Sequence, residues 1–147
     1  SELAKAHIAA QTVIGYDNLL SEVKRITGGA MVPVVYDSIG KDTFGISLDC
    51  LAPLGLMVSY GNASGPVPPV DIGILAAKGS LYLTRPSLAT YTAKRADLEK
   101  TAADLFDVVL KGAVKIQVNQ TFPLKDAAAA HIALESRKTT GSTVLIP

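Results

Sequence analysis

Four groups of residues carry the chemistry that this sequence can do: Tyr16, Ser38-Ile39-Gly40, Tyr60-Gly61-Asn62 and Thr84-Arg85-Pro86. Each closes a short apolar run rich in strand-forming residues. Their hydroxyl, amide and guanidinium donors suit phosphate and ribose oxygens, apolar neighbours suit a ring, and glycine lets backbone approach a ligand closely. If the four runs are parallel strands, the groups share the carboxyl edge of one sheet, where ligands of open α/β sheets sit. The set points to a nucleotide. A simpler reading is that strand ends are polar and glycine-rich whatever they do, and residue types alone do not choose between the two.

Other chemistries find less support. His7 and His131 have no Cys or Asp partners at metal-ligand spacing and read as surface or packing histidines. Cys50 falls in a helical stretch and reads as a small apolar residue. There is no G-x-S-x-G elbow, and Ser59 reads as a strand residue rather than a nucleophile. No G-x-G-x-x-G turn is present, and Gly61-Asn62-Ala63-Ser64-Gly65 runs into a proline-rich loop rather than a helix. Arg137 reads equally well as a cation closing a helix and as a group facing the ligand edge. No catalytic acid, base or metal ligand can be named.

The elements that must position the edge follow from hydrophobic periodicity and turn residues. Val34 to Gly40, the helix-length stretch Lys41 to Pro53, and Leu56 to Asn62 form a strand–crossover–strand pattern. In chain order, the expectations begin with a helix over Glu2–Ala10 and a strand over Gln11–Tyr16. A helix capped by Asp17 or Asn18 follows, with Leu19, Leu20, Val23 and Ile26 buried and Gly28-Gly29 as its stop. A strand covers Val32–Ser38, and a helix covers Thr43–Leu51, burying Phe44, Leu48 and Leu51 and stopped by Pro53. A strand over Leu56–Tyr60 leads to a loop over Ala63–Pro69. Asp71 caps a short helix over Ile72–Lys78, a strand covers Ser80–Thr84, and Ser87–Thr92 is a loop. The longest helix spans Lys94–Lys111, followed by a strand over Val114–Val118, a helix over Leu124–Arg137 and a strand over Thr143–Ile146. Alternating helices and strands define the α/β class.

Bulk composition narrows the field further. The 147 residues are 48% hydrophobic and 18% charged, which suits one folded domain with a real core. Fourteen Lys and Arg against thirteen Asp and Glu, net +1, give no electrostatic case for nucleic acid or an acidic membrane. No apolar run approaches the roughly 20 residues that cross a bilayer. A single cysteine fits a reducing, cytoplasmic setting. The opening Ser1-Glu2-Leu3-Ala4-Lys5 reads like the middle of a helix, as if cut from a longer chain.

Several long runs carry a resemblance. They are Val35-Tyr36-Asp37-Ser38-Ile39-Gly40-Lys41-Asp42-Thr43, Ser47-Leu48-Asp49-Cys50-Leu51, Gly55 through Gly65, Lys78 through Pro86, and Leu134-Glu135-Ser136-Arg137. The chain resembles the C-terminal part of the NADPH-dependent quinone oxidoreductases, zinc-free members of the medium-chain dehydrogenase/reductase superfamily that include zeta-crystallin. The resemblance covers essentially the whole chain.

That resemblance implies a partial Rossmann-type parallel sheet with flanking helices, lacking the first two strands, plus a C-terminal returning helix and strand. Residues 1–112 would be the partial dinucleotide-binding domain, and residues 113–147 would pack back on the catalytic domain of the parent. The implied reaction is hydride transfer from NADPH to a quinone without a metal; an enoyl or alkenal reductase and a non-catalytic, self-associating fragment are the alternatives. Tyr16 would lie near the adenosine 2′-phosphate and Ser38 near the adenosine. Tyr60, Gly61, Asn62 and Ala63 would border the cofactor, Pro86, Ser87 and Leu88 the nicotinamide, and Arg137 would reach in from the last helix. The strand over residues 80–84, apolar and free of internal charge, would pair with its mate in a homodimer. With the pyrophosphate turn absent, the isolated chain is expected to be inactive.

Overall fold

The computed structural model describes residues 15–147. The helix expected over Glu2–Ala10, and all but the end of the strand expected over Gln11–Tyr16, lie outside the described residues. The chain divides into two compact units, one ending at Thr90 and the other covering Tyr91–Pro147.

The first unit opens with a 3-10 turn, Tyr16–Asn18, so Tyr16 begins a turn rather than closing a strand. Helix α1, Leu19–Ile26, follows. Asn18 holds its N-cap position without a side-chain capping bond; Ser21 Oγ donates instead to the Asn18 carbonyl at 2.9 Å. The expected buried face is only half covered, because Leu20 and Ile26 stay exposed.

A three-stranded parallel sheet follows in the order β1 (Val32–Asp37), β2 (Leu51–Ser59), β3 (Tyr82–Thr84). Parallel neighbours need crossovers. Helix α2, Phe44–Asp49, joins the first pair, and α3, Gly73–Ala77, joins the second. Ile72, not Asp71, takes the N-cap position of α3, without a side-chain capping bond; the Asp71 carboxylate, one residue earlier, accepts the Gly73 N–H at 2.9 Å in a local turn. Phe44, Leu48, Leu51, Met57 and Leu81 form the core, with Val32, Val35, Val67, Ile74 and Leu75 packed around it. Each such side chain contributes about 1.5–3 kcal/mol when fully buried.

Pro53 does not stop a helix. Helix α2 ends at Asp49, and β2 already begins at Leu51, opposite Val32. The ladder then shifts, so that Val34 next meets Leu56. The slack between Leu51 and Leu56 folds out through Leu54, whose φ is +63°, and the Leu54 N–H donates to the Gly79 carbonyl at 2.8 Å. Proline is tolerated in a strand at such an irregularity. Gly79 suits the spot: its φ is +107°, and a Cβ there would sit 3.1 Å from Pro53 Cα.

Helix α4, Leu88–Tyr91, occupies what the sequence predicts as loop. In the second unit, α5, Arg95–Leu110, carries three exposed ion pairs at i,i+4 spacing, Arg95–Glu99, Lys100–Asp104 and Asp107–Lys111. Such exposed pairs contribute little to stability. Strands β4 (Val118–Pro123) and β5 (Ser142–Ile146) pair in parallel across a 3-10 turn at Leu124–Asp126 and helix α6, Ala127–Glu135. The strand expected over Val114–Val118 is therefore displaced. Its alternating residues Val114 and Ile116 are exposed, and pairing starts where they end, because β5 aligns Val118 with Ser142. No helix among the described residues is long and apolar enough to cross a membrane.

Candidate functional site

Strands β1 and β2 end side by side, and the loops that leave them are bonded together. The Asp37 carbonyl accepts the Tyr60 N–H at 2.9 Å, the Ser38 carbonyl accepts Ala63 N–H at 3.2 Å, and the Ile39 carbonyl accepts Ser64 N–H at 2.8 Å. In the reverse direction, Lys41 N–H donates to the Gly65 carbonyl at 3.2 Å. The Ser64 hydroxyl closes the seam by donating to the Ile39 carbonyl at 2.9 Å and accepting Asp42 N–H at 3.0 Å.

Two glycines make this closeness possible. A Cβ on Gly61 would lie 2.2 Å from the Ser38 carbonyl oxygen, and one on Gly40 would lie 2.7 Å from the Gly65 carbonyl oxygen. Gly40 also has φ +91°, a conformation that side chains rarely adopt.

Beneath the first loop lies Asp37, a buried carboxylate. Its Oδ1 accepts Ile39 N–H at 2.8 Å, Gly40 N–H at 3.0 Å and the Thr43 hydroxyl at 2.9 Å. Its Oδ2 accepts the Thr43 and Ser47 hydroxyls, each at 2.8 Å. Burial alone pushes this carboxyl up. The donors from Gly40, Ser47, Thr43 and Ile39 favour the charged form and hold it below the ordinary carboxylate value. Thr43 and Ser47 stand one helical turn apart, so the first turns of α2 present both hydroxyls to the same carboxylate.

Two open grooves border the edge. One, of about 210 Å³, is lined by Tyr16, Leu19, Tyr36, Ser38, Ile39 and the Asp37–Thr43–Ser47 cluster, among others. The other, of about 320 Å³, lies among Phe44, Ser59, Asn62, Leu83, Arg85 and the loop that holds Pro66, Val67, Pro68 and Val70. Arg85 is anchored there, its Nη1 donating to the Ser59 carbonyl at 2.8 Å.

The structure thus brings together most of the residues singled out in the sequence. Tyr16 and Ser38 share one groove, and Asn62 lines the other. Tyr60 stands exposed at the end of β2, and Gly61 and Ala63 lie in the seam. Pro86, Ser87 and Leu88 follow β3, with Leu88 exposed at the start of α4 and the Ser87 carbonyl accepting Thr90 N–H at 3.0 Å. Arg137 belongs to the second unit, past the end of α6, with φ +57°. Asp37, Thr43 and Ser47 do not stand out in the sequence. Their signal is an aspartate closing an apolar strand, with two hydroxyl residues four apart at the start of the next helix.

Known proteins resemble the chain over nearly all its length. It is 50% identical to a quinone oxidoreductase of Pseudomonas aeruginosa over 100% of this chain and 46% of that protein. A crystal structure of Escherichia coli quinone oxidoreductase complexed with NADPH matches at TM-score 0.88 and 52% identity, over 94% of this chain and 44% of that one. A 2-haloacrylate reductase from Burkholderia is 48% identical over 85% of this chain and 38% of that protein. The chain spans less than half the length of these relatives. A family described as zinc-binding dehydrogenase matches residues 8–145, and with so much of the chain accounted for, the protein belongs to that family of dehydrogenases.

Proposed function

We propose that this chain is the C-terminal part of an NADPH-dependent quinone oxidoreductase. The observation that carries the reading is the bonded pair of loops at the carboxyl edge of a parallel sheet, matched to a relative solved with NADPH. The donor set fits such a cofactor: Tyr16 and Ser38 hydroxyls in one groove, and the Asn62 amide in the next. NADPH, when bound, supplies the hydride. The protein's part is to bind and orient. Ser38 and Tyr16 would hold the adenosine end, Tyr60 to Ala63 would border the cofactor, and Pro86, Ser87 and the exposed Leu88 would wall the ring. Arg137 is a candidate cation for phosphate in the longer protein.

The reading is metal-free. Among the described residues no group of three or more His, Cys, Asp and Glu is placed to hold a metal ion. Cytoplasmic residence, and division into a cofactor domain over 1–112 and a returning segment over 113–147, belong to the same proposal.

Turnover of NADPH and NADH with a quinone by the longer protein, wild type and Arg137→Ala, tests the reading. A clear preference for NADPH that shrinks in the variant is expected, whereas equal rates with both cofactors in the wild type sink it. The likeness to 2-haloacrylate reductase favours a second reading, reduction of an activated C=C bond, and an enone that outcompetes quinones in the same assay would select it. For the isolated chain, calorimetry should show weak or no NADPH binding.

Homodimerisation through β3 is part of the same proposal. The edge is short and apolar, with Tyr82 and Leu83 exposed. Leu81 lies inside the core and its N–H donates to the Leu75 carbonyl, so a change at Tyr82 probes the edge more cleanly. Tyr82→Lys should yield a monomer in sedimentation, and a folded variant that stays dimeric rules out pairing through this edge.

A further inference from the structure

We propose that Asp37, clamped by Thr43 and Ser47, is a positioning residue for the cofactor edge, acting through the Ser38–Gly40 turn on the Tyr60–Ser64 loop. The inference rests on the cofactor reading above and adds to it the group that sets the geometry of the edge.

Three of the four buried polar residues among those described, Asp37, Thr43 and Ser47, form this one cluster. A buried carboxylate is costly unless its oxygens are satisfied. Here both are, and two of the donors are the backbone N–H groups of Ile39 and Gly40, the residues just past Ser38. The carboxylate therefore fixes the turn that carries the adenosine-side hydroxyl. The carbonyls of that same turn, on Ser38 and Ile39, receive the N–H groups of Ala63 and Ser64. The connection to the second loop runs through backbone held at both ends. A carboxylate that only stabilised the sheet would need no such chain of bonds to residues that border the cofactor. Loss of a hydroxyl donor leaves the carboxylate under-satisfied and loosens the turn first.

The experiment compares wild type, Thr43→Val/Ser47→Ala and the milder Ser47→Ala in the longer protein, with two readouts. In steady-state kinetics the KM for NADPH should rise about tenfold in the double variant while kcat changes less than about twofold, the pattern of lost uniform binding. Thr43→Ser, which keeps a hydroxyl at that position, should behave close to wild type. In hydrogen exchange, the Ala63 and Ser64 amides should exchange about tenfold faster while the amides of β2 keep their protection. Uniformly faster exchange across the sheet, or a KM unchanged in folded variants, overturns the positioning role. If the double variant does not fold, Ser47→Ala is measured by the same two readouts, and the same outcomes support or overturn the role. A wild type that binds no NADPH overturns the functional reading and, with it, the cofactor half of this inference. Wild-type binding with unaltered KM in the variants overturns the inference alone.

Discussion

Each unit pairs parallel strands across a helix, yet the first encloses Phe44, Leu48, Leu51, Met57 and Leu81 while the second buries only Ala130. The second holds its longest helix with exposed ion pairs and leaves Leu98, Leu105, Phe106 and Leu110 in solvent. Helical propensity and surface pairs alone leave a helix marginal, and packing of an apolar face supplies most of its stability. Regular secondary structure and a self-sufficient core are separate achievements. Stability and the candidate site are concentrated in the same unit.

The largest effect is expected at Leu48, which is 1% exposed. Leu48→Ala should cost about 2–5 kcal/mol through lost burial and a cavity. Hydrogen exchange measured separately over the two units should show the loss in the first and not in the second. An equal loss in both would mean that they unfold as one body.

Next in size is Gly61→Ala. Its Cβ meets the Ser38 carbonyl at 2.2 Å, so one loop must move away from the other, at about 1–3 kcal/mol. Urea unfolding should show this loss. A variant as stable as wild type would show that the seam is looser than this distance implies.

A smaller effect appears in acid. Because hydrogen bonds outweigh burial and depress the folded value of Asp37, its stabilisation is fully present above the unfolded value near 3.8 and is lost as pH falls through the lower folded value. The first unit should therefore weaken below about pH 4, and Asp37→Asn should flatten that slope at the cost of lower stability at neutral pH. Parallel pH profiles for the two proteins would remove Asp37 from the acid response.

The smallest expected effect sharpens the contrast from the other side. Leu105 is 53% exposed, and Leu105→Ala should change stability by less than about 0.5 kcal/mol. A loss comparable to that at Leu48 would show that this face is covered in solution.

Much of the first unit is legible in the sequence because its elements declare themselves locally. The β-branched run before Asp37, the glycines after Ile26 and the aspartate before α3 each carry a direct backbone consequence. The misreadings share another cause. Pro53 reads as a stop, but Gly79 gives it room beside an irregular stretch of strand, a fact about a residue far along the chain. Val114 and Ile116 alternate like strand residues, yet pairing begins at Val118, where β5 supplies the partner. The short helix after Ser87 has no periodicity to read. At the site, Ser38 and Tyr60 to Ala63 are visible as strand ends. The Asp37 cluster is not, because an acid in a strand and two hydroxyl residues near a helix start look ordinary until folding brings them together.

The close approach of Gly61 to the Ser38 carbonyl also bears on how this edge can change over generations. Any Cβ at position 61 collides with backbone rather than with a replaceable side chain, so that position is closed whatever happens at residue 38. An insertion or deletion in either loop would slide the seam and demand a matching change in the other. Variation at this edge is thereby channelled into the side chains of Ser38, Asn62 and Ala63, which can be exchanged one at a time on a frame that stays fixed.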